Sequence, residues 1–179
     1  LLPKMTPIGD VEEDESDMLF LSLGRGDDRD LTLPPSISPV EKQLILTRLI
    51  EKLPLAGQAI STAQAVRLAQ SLGQLLDQIY QAGAMPEKLA EQMPEDLARH
   101  WQDILTFLNI IIEQWPQILK KRALLDPVIR KMMLADQQIE SWKTAPPGHP
   151  VILAGSTGSL PKTQQMMAAL AELPCGIVV

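Results

Sequence analysis

The stretch 150–179, PVILAGSTGSLPKTQQMMAALAELPCGIVV, restricts the possible folds more than any other part of the chain. Residues 151–154 form a short apolar run with β-branched side chains at Val151 and Ile152, and Gly155 breaks it. Pro161 then opens a segment whose apolar residues return at helical spacing, with proline where a first helical turn accepts it. Leu173, Pro174 and Gly176 stop that helix, and Ile177, Val178 and Val179 begin a second β-branched run. The order strand, helix, strand predicts a parallel pair, because strands joined through a helix run in the same direction. Parallel strands are normally buried on both faces among further strands. Residues before 150 read as helix or loop and offer none, so the expectation is a piece of a larger protein divided within an α/β domain, with which Leu1 as first residue agrees.

Upstream, the sequence predicts helices from Ser38 onward. Ser38, Pro39 and Glu41 have the pattern of an N-cap, a first-turn proline and a capping-box acid, followed by an apolar stripe of Val40, Leu44, Leu46, Leu49, Ile50 and Leu53 that ends at Pro54. A second box, Ser61 with Gln64, opens a longer helix carrying Ala65, Leu68, Ala69, Leu72, Leu75, Leu76, Ile79 and Tyr80, closed by Gly83. A short helix is expected over 86–93. Pro94 starts a strongly apolar helix with Leu97, Trp101, Ile104, Leu105, Leu108, Ile111, Ile112 and Trp115, and Pro116 predicts a break or kink in it. Asp126 with Pro127 caps a last helix over about 127–143 that carries Val128, Met132, Met133, Ile139 and Trp142. The stiff linker APPGHP, 145–150, is the expected domain boundary. The predicted architecture is mainly α: an extended, acidic region over 1–37, with 1–9 a possible sheet edge and the apolar run 18–23 packing on the helices, then a helical bundle over 38–145 and a β-α-β piece over 146–179.

Composition matters for what it excludes. With 45% hydrophobic residues in 179, the chain can bury a core. One cysteine excludes an internal disulfide and argues against a cysteine-built metal site, which favours a cytoplasmic protein. No apolar run reaches the roughly 18–20 residues that span a bilayer, and no signal-peptide pattern is read, so no membrane partner is expected. The net charge of −6 is concentrated in residues 10–30, where nine acids face only Arg25 and Arg29. The remainder, with 14 bases and 13 acids, is nearly neutral and leaves room for a basic face.

Two constellations are candidates for binding. Gly155, Ser156, Thr157, Gly158 and Ser159 lie where a strand gives way to a helix, the place where α/β proteins hold phosphates on outward-pointing amides. The run is neither G-x-x-x-x-G-K-[ST] nor G-x-G-x-x-G, and the plainer reading is a small-residue turn in which Ser159 or a neighbour caps the helix. Lys120, Lys121, Arg122, Arg130 and Lys131 flank one interhelical turn with only Asp126 among them. Such a cluster can neutralise DNA phosphates without reading sequence, although bases also gather at helix C-termini to meet the dipole. The tryptophans fall on apolar stripes and read as core, and Cys175, in a turn before a strand, is expected to be buried. His100 and His149 belong to no Ser, His and Asp set, so no catalytic residue and no metal ligand is assigned.

Three stretches, LLPKMTPIGDVEEDE at the start, LPPSISPVEKQLILTRLI at 33–50, and AGSTGSLPKT at 154–163 followed by LP-x-G-x-VV at 173–179, carry a resemblance, and HWQDILTFLNIIIEQWP at 100–116 joins them. Through them nearly the whole chain resembles the AddB family, in its alphaproteobacterial form, subunits of the AddAB helicase–nucleases that repair DNA double-strand breaks. The resemblance implies a helical insertion of the 1B type spliced into a RecA-like domain, after which the chain returns to the sheet. It implies DNA and an AddA-like helicase subunit as partners. It also implies ATP, Mg and an iron–sulfur cluster held elsewhere in the parent protein, with no cofactor and no active-site residue in this stretch. The resulting expectation is a non-catalytic fragment that holds or guides DNA. The alternatives are a helical module that contacts the partner subunit and a nucleotide-binding α/β fragment that uses GSTGS.

Overall fold

The computed structural model describes residues 33–53, 60–84 and 109–179. The possible sheet edge at 1–9, the apolar run at 18–23, the short helix at 86–93 and the Pro94 helix up to Leu108, with His100 and Trp101, lie outside the described residues. The described chain is mainly helical, with five α-helices, a π-helical stretch and a two-stranded parallel sheet. It divides into two compact units, one spanning 34–128 and the other including 129–179. None of these helices is long and apolar enough to cross a membrane.

The first unit contains α1 (Pro39–Glu51), α2 (Thr62–Gln81), the π-helical stretch Ile110–Gln114 and α3 (Trp115–Arg122). Local chemistry sets the helix starts. Ser38 holds an extended backbone and its hydroxyl accepts from the Glu41 amide, while Ser61 and Gln64 complete a reciprocal capping box. At the other end of α2, Gly83 takes φ +67°, the Ala84 amide donates to the Ile79 carbonyl at 3.1 Å and the Gly83 amide to Tyr80 at 2.9 Å. This double closure satisfies carbonyls that the helix leaves open, and glycine adopts its left-handed residue without a steric penalty.

The core of this unit joins Ile37, Leu46 and Ile50 to Ala65, Ala69, Leu72 and Leu76 of α2 and to Ile110, Trp115 and Leu119. Each fully buried aliphatic side chain contributes about 2 kcal/mol by removal from water. The buried stripe of α1 is Lys42, Leu46, Thr47 and Ile50, so the expected stripe is partly corrected. Val40 is 69% exposed and Leu44 54%. Both precede a buried residue by two positions, about 200° around the helix at 100° per residue, and therefore point away when Lys42 and Leu46 point in. On α2, Leu75 is likewise exposed.

Pro116 does not end its helix. The chain widens to a π-turn just before it, and the Trp115 amide donates to the Ile110 carbonyl five residues back. Proline lacks an amide and its ring crowds the carbonyl four residues earlier, here that of Ile112, so widening the preceding turn accommodates it without a sharp break. At the end of α3 the amides of Ala123 and Leu124 close onto the carbonyls of Lys120 and Leu119 at 3.2 and 3.0 Å. Ala123 adopts φ +52° to allow this, a region that disfavours a Cβ. Ala123→Gly is therefore expected to raise stability by about 1 kcal/mol; an unchanged or lower urea midpoint would contradict that. The turn after α3 is fixed by a parallel bridge, in which Ile37 donates to the Leu125 carbonyl and Leu125 to that of Pro35, both at 2.9 Å.

In the second unit, β1 (Val151–Leu153) pairs in parallel with β2 (Gly176–Val178) across α5 (Pro161–Ala171), with Val151 opposite Gly176, Ile152 opposite Ile177 and Leu153 opposite Val178. The strand, helix, strand order and the parallel sense agree with the sequence pattern. One sheet face is covered: Val151 and Leu153 pack with Met166 and Leu170 of α5 and with Ala135 and Trp142 of α4 (Pro127–Thr144). On the other face Ile152 and Ile177 are 60% and 47% exposed. Ala135 and Trp142 complete the apolar layer under the strands, so the units divide inside α4 and not in the linker at 145–150. Cys175 is exposed, contrary to expectation. Its backbone carbonyl accepts from Val151, while its side chain belongs to the turn before β2 and contributes nothing to the core.

Candidate functional site

The GSTGS loop leaves β1 with Gly155 at φ +74° and reaches α5 after Gly158 at φ +61°. Its polar groups are used mainly within the loop. Ser156 Oγ accepts from the Gly158 amide at 3.3 Å, and the hydroxyls of Thr157 and Ser159 meet at 3.5 Å. The Gly155 amide donates to the Val179 carbonyl at 3.0 Å. A Cβ on Gly158 would lie 3.0 Å from Met167 Sδ, so both the conformation and the packing call for glycine there. Neither Ser159 nor a neighbour caps α5 through its side chain: the N-cap position is Leu160, which has no side-chain acceptor. The nearby cation is also committed, since Lys162 Nζ donates to Asp136 Oδ1 at 2.6 Å and to Gln165 Oε1 at 2.8 Å.

The basic residues are distributed over two helices. Lys120, Lys121 and Arg122 form the last turn of α3 and are exposed, whereas Arg130 and Lys131 are half-buried in the opening turns of α4. Arg122 is ion-paired through Nη1 with Oε1 of Glu41, and the two side chains are 45% and 44% exposed. Asp126, the one acid between positions 120 and 131, is fully buried. It therefore offers nothing to offset the surface charge of its neighbours.

Where Asp126 points is not legible in the sequence. Its Oδ2 accepts from Lys42 Nζ at 2.9 Å and from Trp115 Nε1 at 3.2 Å, and its Oδ1 caps α4 by accepting from the Val128 amide at 3.0 Å. Lys42 Nζ also donates to Asp77 Oδ1 at 2.5 Å and lies 5.8 Å from the centre of the Trp115 ring, within cation–π range. One ammonium thus joins α1, α2, α3 and the start of α4. With two carboxylates around it Lys42 is a paired structural cation, and no nucleophile–base pair is formed. A usable signal is present in the chain: Lys42, Leu46 and Ile50 recur every four residues, placing a charge on an apolar stripe.

His149 is exposed in the linker, and among the described residues no group of three or more His, Cys, Asp or Glu side chains is placed to hold a metal ion. Trp115 and Trp142 are both buried in the cores. No family model, curated protein or solved structure matches the chain.

Proposed function

We propose that this chain is a non-catalytic, DNA-handling part of an AddB-like subunit of a cytoplasmic helicase–nuclease, in which helices of the 1B type contact the phosphate backbone and the β-α-β piece belongs to a RecA-like domain. An AddA-like helicase subunit is the partner. ATP, Mg and the iron–sulfur cluster act elsewhere in the parent protein. The resemblance of the quoted stretches motivates the identity, and the order of helices followed by a parallel strand–helix–strand unit agrees with it. The observation that carries DNA binding is the exposed basic end of α3, whose sequence-adjacent acid, Asp126, is withdrawn into the core. Such a face attracts polyanions through counterion release, so affinity falls as salt rises.

Anisotropy titrations with short labelled single-stranded and duplex DNA, over a series of salt concentrations, test this. The chain is expected to bind at low salt, and Lys120→Glu with Lys121→Glu is expected to weaken binding to all sequences alike, lowering the salt slope by about 1 for each phosphate that is no longer neutralised. Absence of binding at low salt sinks the DNA reading in favour of a module that docks on the partner subunit. The exposed Ile152 and Ile177 on the open sheet face support that second reading. A nucleotide-binding role for GSTGS is the weakest of the three, because Lys162 is held by Asp136. A nucleotide-induced rise in melting temperature would revive it.

A further inference from the structure

We infer that Glu41 is an internal competitor for the polyanion site, occupying Arg122 until a phosphate displaces it; the inference rests on the DNA reading above. Three features make Arg122 the movable member of the pair. Both side chains are nearly half exposed, so water and a ligand can reach the ion pair, and pairs at such positions are weak and easily exchanged. Glu41 also has other support, because it stands in the first turn of α1, whose N-terminal dipole favours an acid. It therefore forfeits little when the guanidinium leaves. The third feature concerns the helix end itself. The amides of Ala123 and Leu124 already satisfy the carbonyls of Lys120 and Leu119, so the basic side chains are not required to bond those carbonyls.

A guanidinium matches a phosphate through two parallel N–H donors, and a carboxylate presents nearly the same acceptor geometry. Glu41 thus acts as a stand-in for phosphate. In the resting chain only Lys120 and Lys121 of the α3 basic end are free of this carboxylate, and a ligand with several adjacent phosphates can recruit Arg122 as a third point of attachment. A single inorganic phosphate lacks the neighbouring charges needed to offset the exchange. The site is accordingly selective for polyanions.

The test compares Glu41→Gln with Glu51→Gln, an exposed acid of the same helix that serves as a control for net charge. Binding of short labelled duplex DNA is measured across salt, with far-UV melting curves confirming that each variant is folded. Glu41→Gln is expected to tighten binding about 2- to 5-fold beyond the control, with a nearly unchanged salt slope, because Arg122 meets a phosphate in the complex whether or not Glu41 had to be displaced. In an Arg122→Ala background that gain should vanish. If Glu41→Gln behaves as Glu51→Gln does while the parent chain binds DNA, the competitor role is overturned and the DNA reading stands. If no variant binds DNA at low salt, both fall together.

Discussion

Asp126→Ala is expected to destabilise the first unit by about 3–5 kcal/mol, the cost of breaking a buried ion pair from one side. Three donors lose their acceptor at once: Lys42 Nζ, Trp115 Nε1 and the Val128 amide that starts α4. The loss of the cap alone is worth about 1 kcal/mol. Lys42 keeps Asp77, but Asp77 is 38% exposed and shares its charge with water, whereas the Asp126 side chain is fully buried. Lys42→Met alone should also be costly, since it leaves the Asp126 carboxylate in the core with only neutral donors. The double variant Lys42→Met with Asp126→Ala should cost less than the two single changes together, with a coupling of about 1–3 kcal/mol, because no uncompensated charge remains in the core and Asp77, left without Lys42, is partly solvated. Urea unfolding followed by far-UV circular dichroism measures all three. Strictly additive losses would mean that Lys42 and Asp126 do not depend on each other, and the account of the network would have to be given up.

The same residues show where sequence reading succeeds and where it stops. The Ser61 and Gln64 box, the Gly83 closure, the Asp126 cap and the parallel sense of β1 and β2 are settled within a few residues of chain or by a simple connection rule, so the pattern alone carries them. Capping accounts for one of the Asp126 oxygens; the other answers to Lys42, 84 residues away in sequence. The rotation of α1 depends on that distant pairing. Val40 and Leu44 look like core by hydropathy, yet the helix turns so that Lys42 and Leu46 face inward. A polar residue on an apolar stripe outranks two exposed aliphatics only when its partners exist, and spacing does not reveal partners. For the candidate sites the position is similar. The loop and the basic run are both visible as composition, but the commitments that limit them, Asp136 to Lys162 and Glu41 to Arg122, are made only by folding.

Gly176→Ala is the second large effect, and here the cause is steric. A Cβ at this position would fall 1.9 Å from the carbonyl oxygen of Leu170 and 3.0 Å from its carbonyl carbon. Those are backbone atoms at the end of α5, and the Leu170 side chain is buried against the strands, so the helix end cannot withdraw without opening the core. The alternative is for β2 to move, but Gly176 is opposite Val151 and its amide donates to the Leu173 carbonyl at 3.1 Å. Either displacement breaks pairing in a sheet that has two strands among the described residues, and overpacking that forces backbone shifts costs about 1–3 kcal/mol, here at the upper end because the clash is with backbone atoms. Gly148→Ala is the natural comparison, because a Cβ there meets nothing within 4 Å and should change stability by less than about 0.5 kcal/mol. Hydrogen exchange read at 151–153 and 176–178 distinguishes the two: protection should disappear in the Gly176 variant and be retained in the Gly148 variant. Equal protection in both would show that the turn after α5 yields freely, and that the close approach of helix end and strand does not hold the β-α-β unit together.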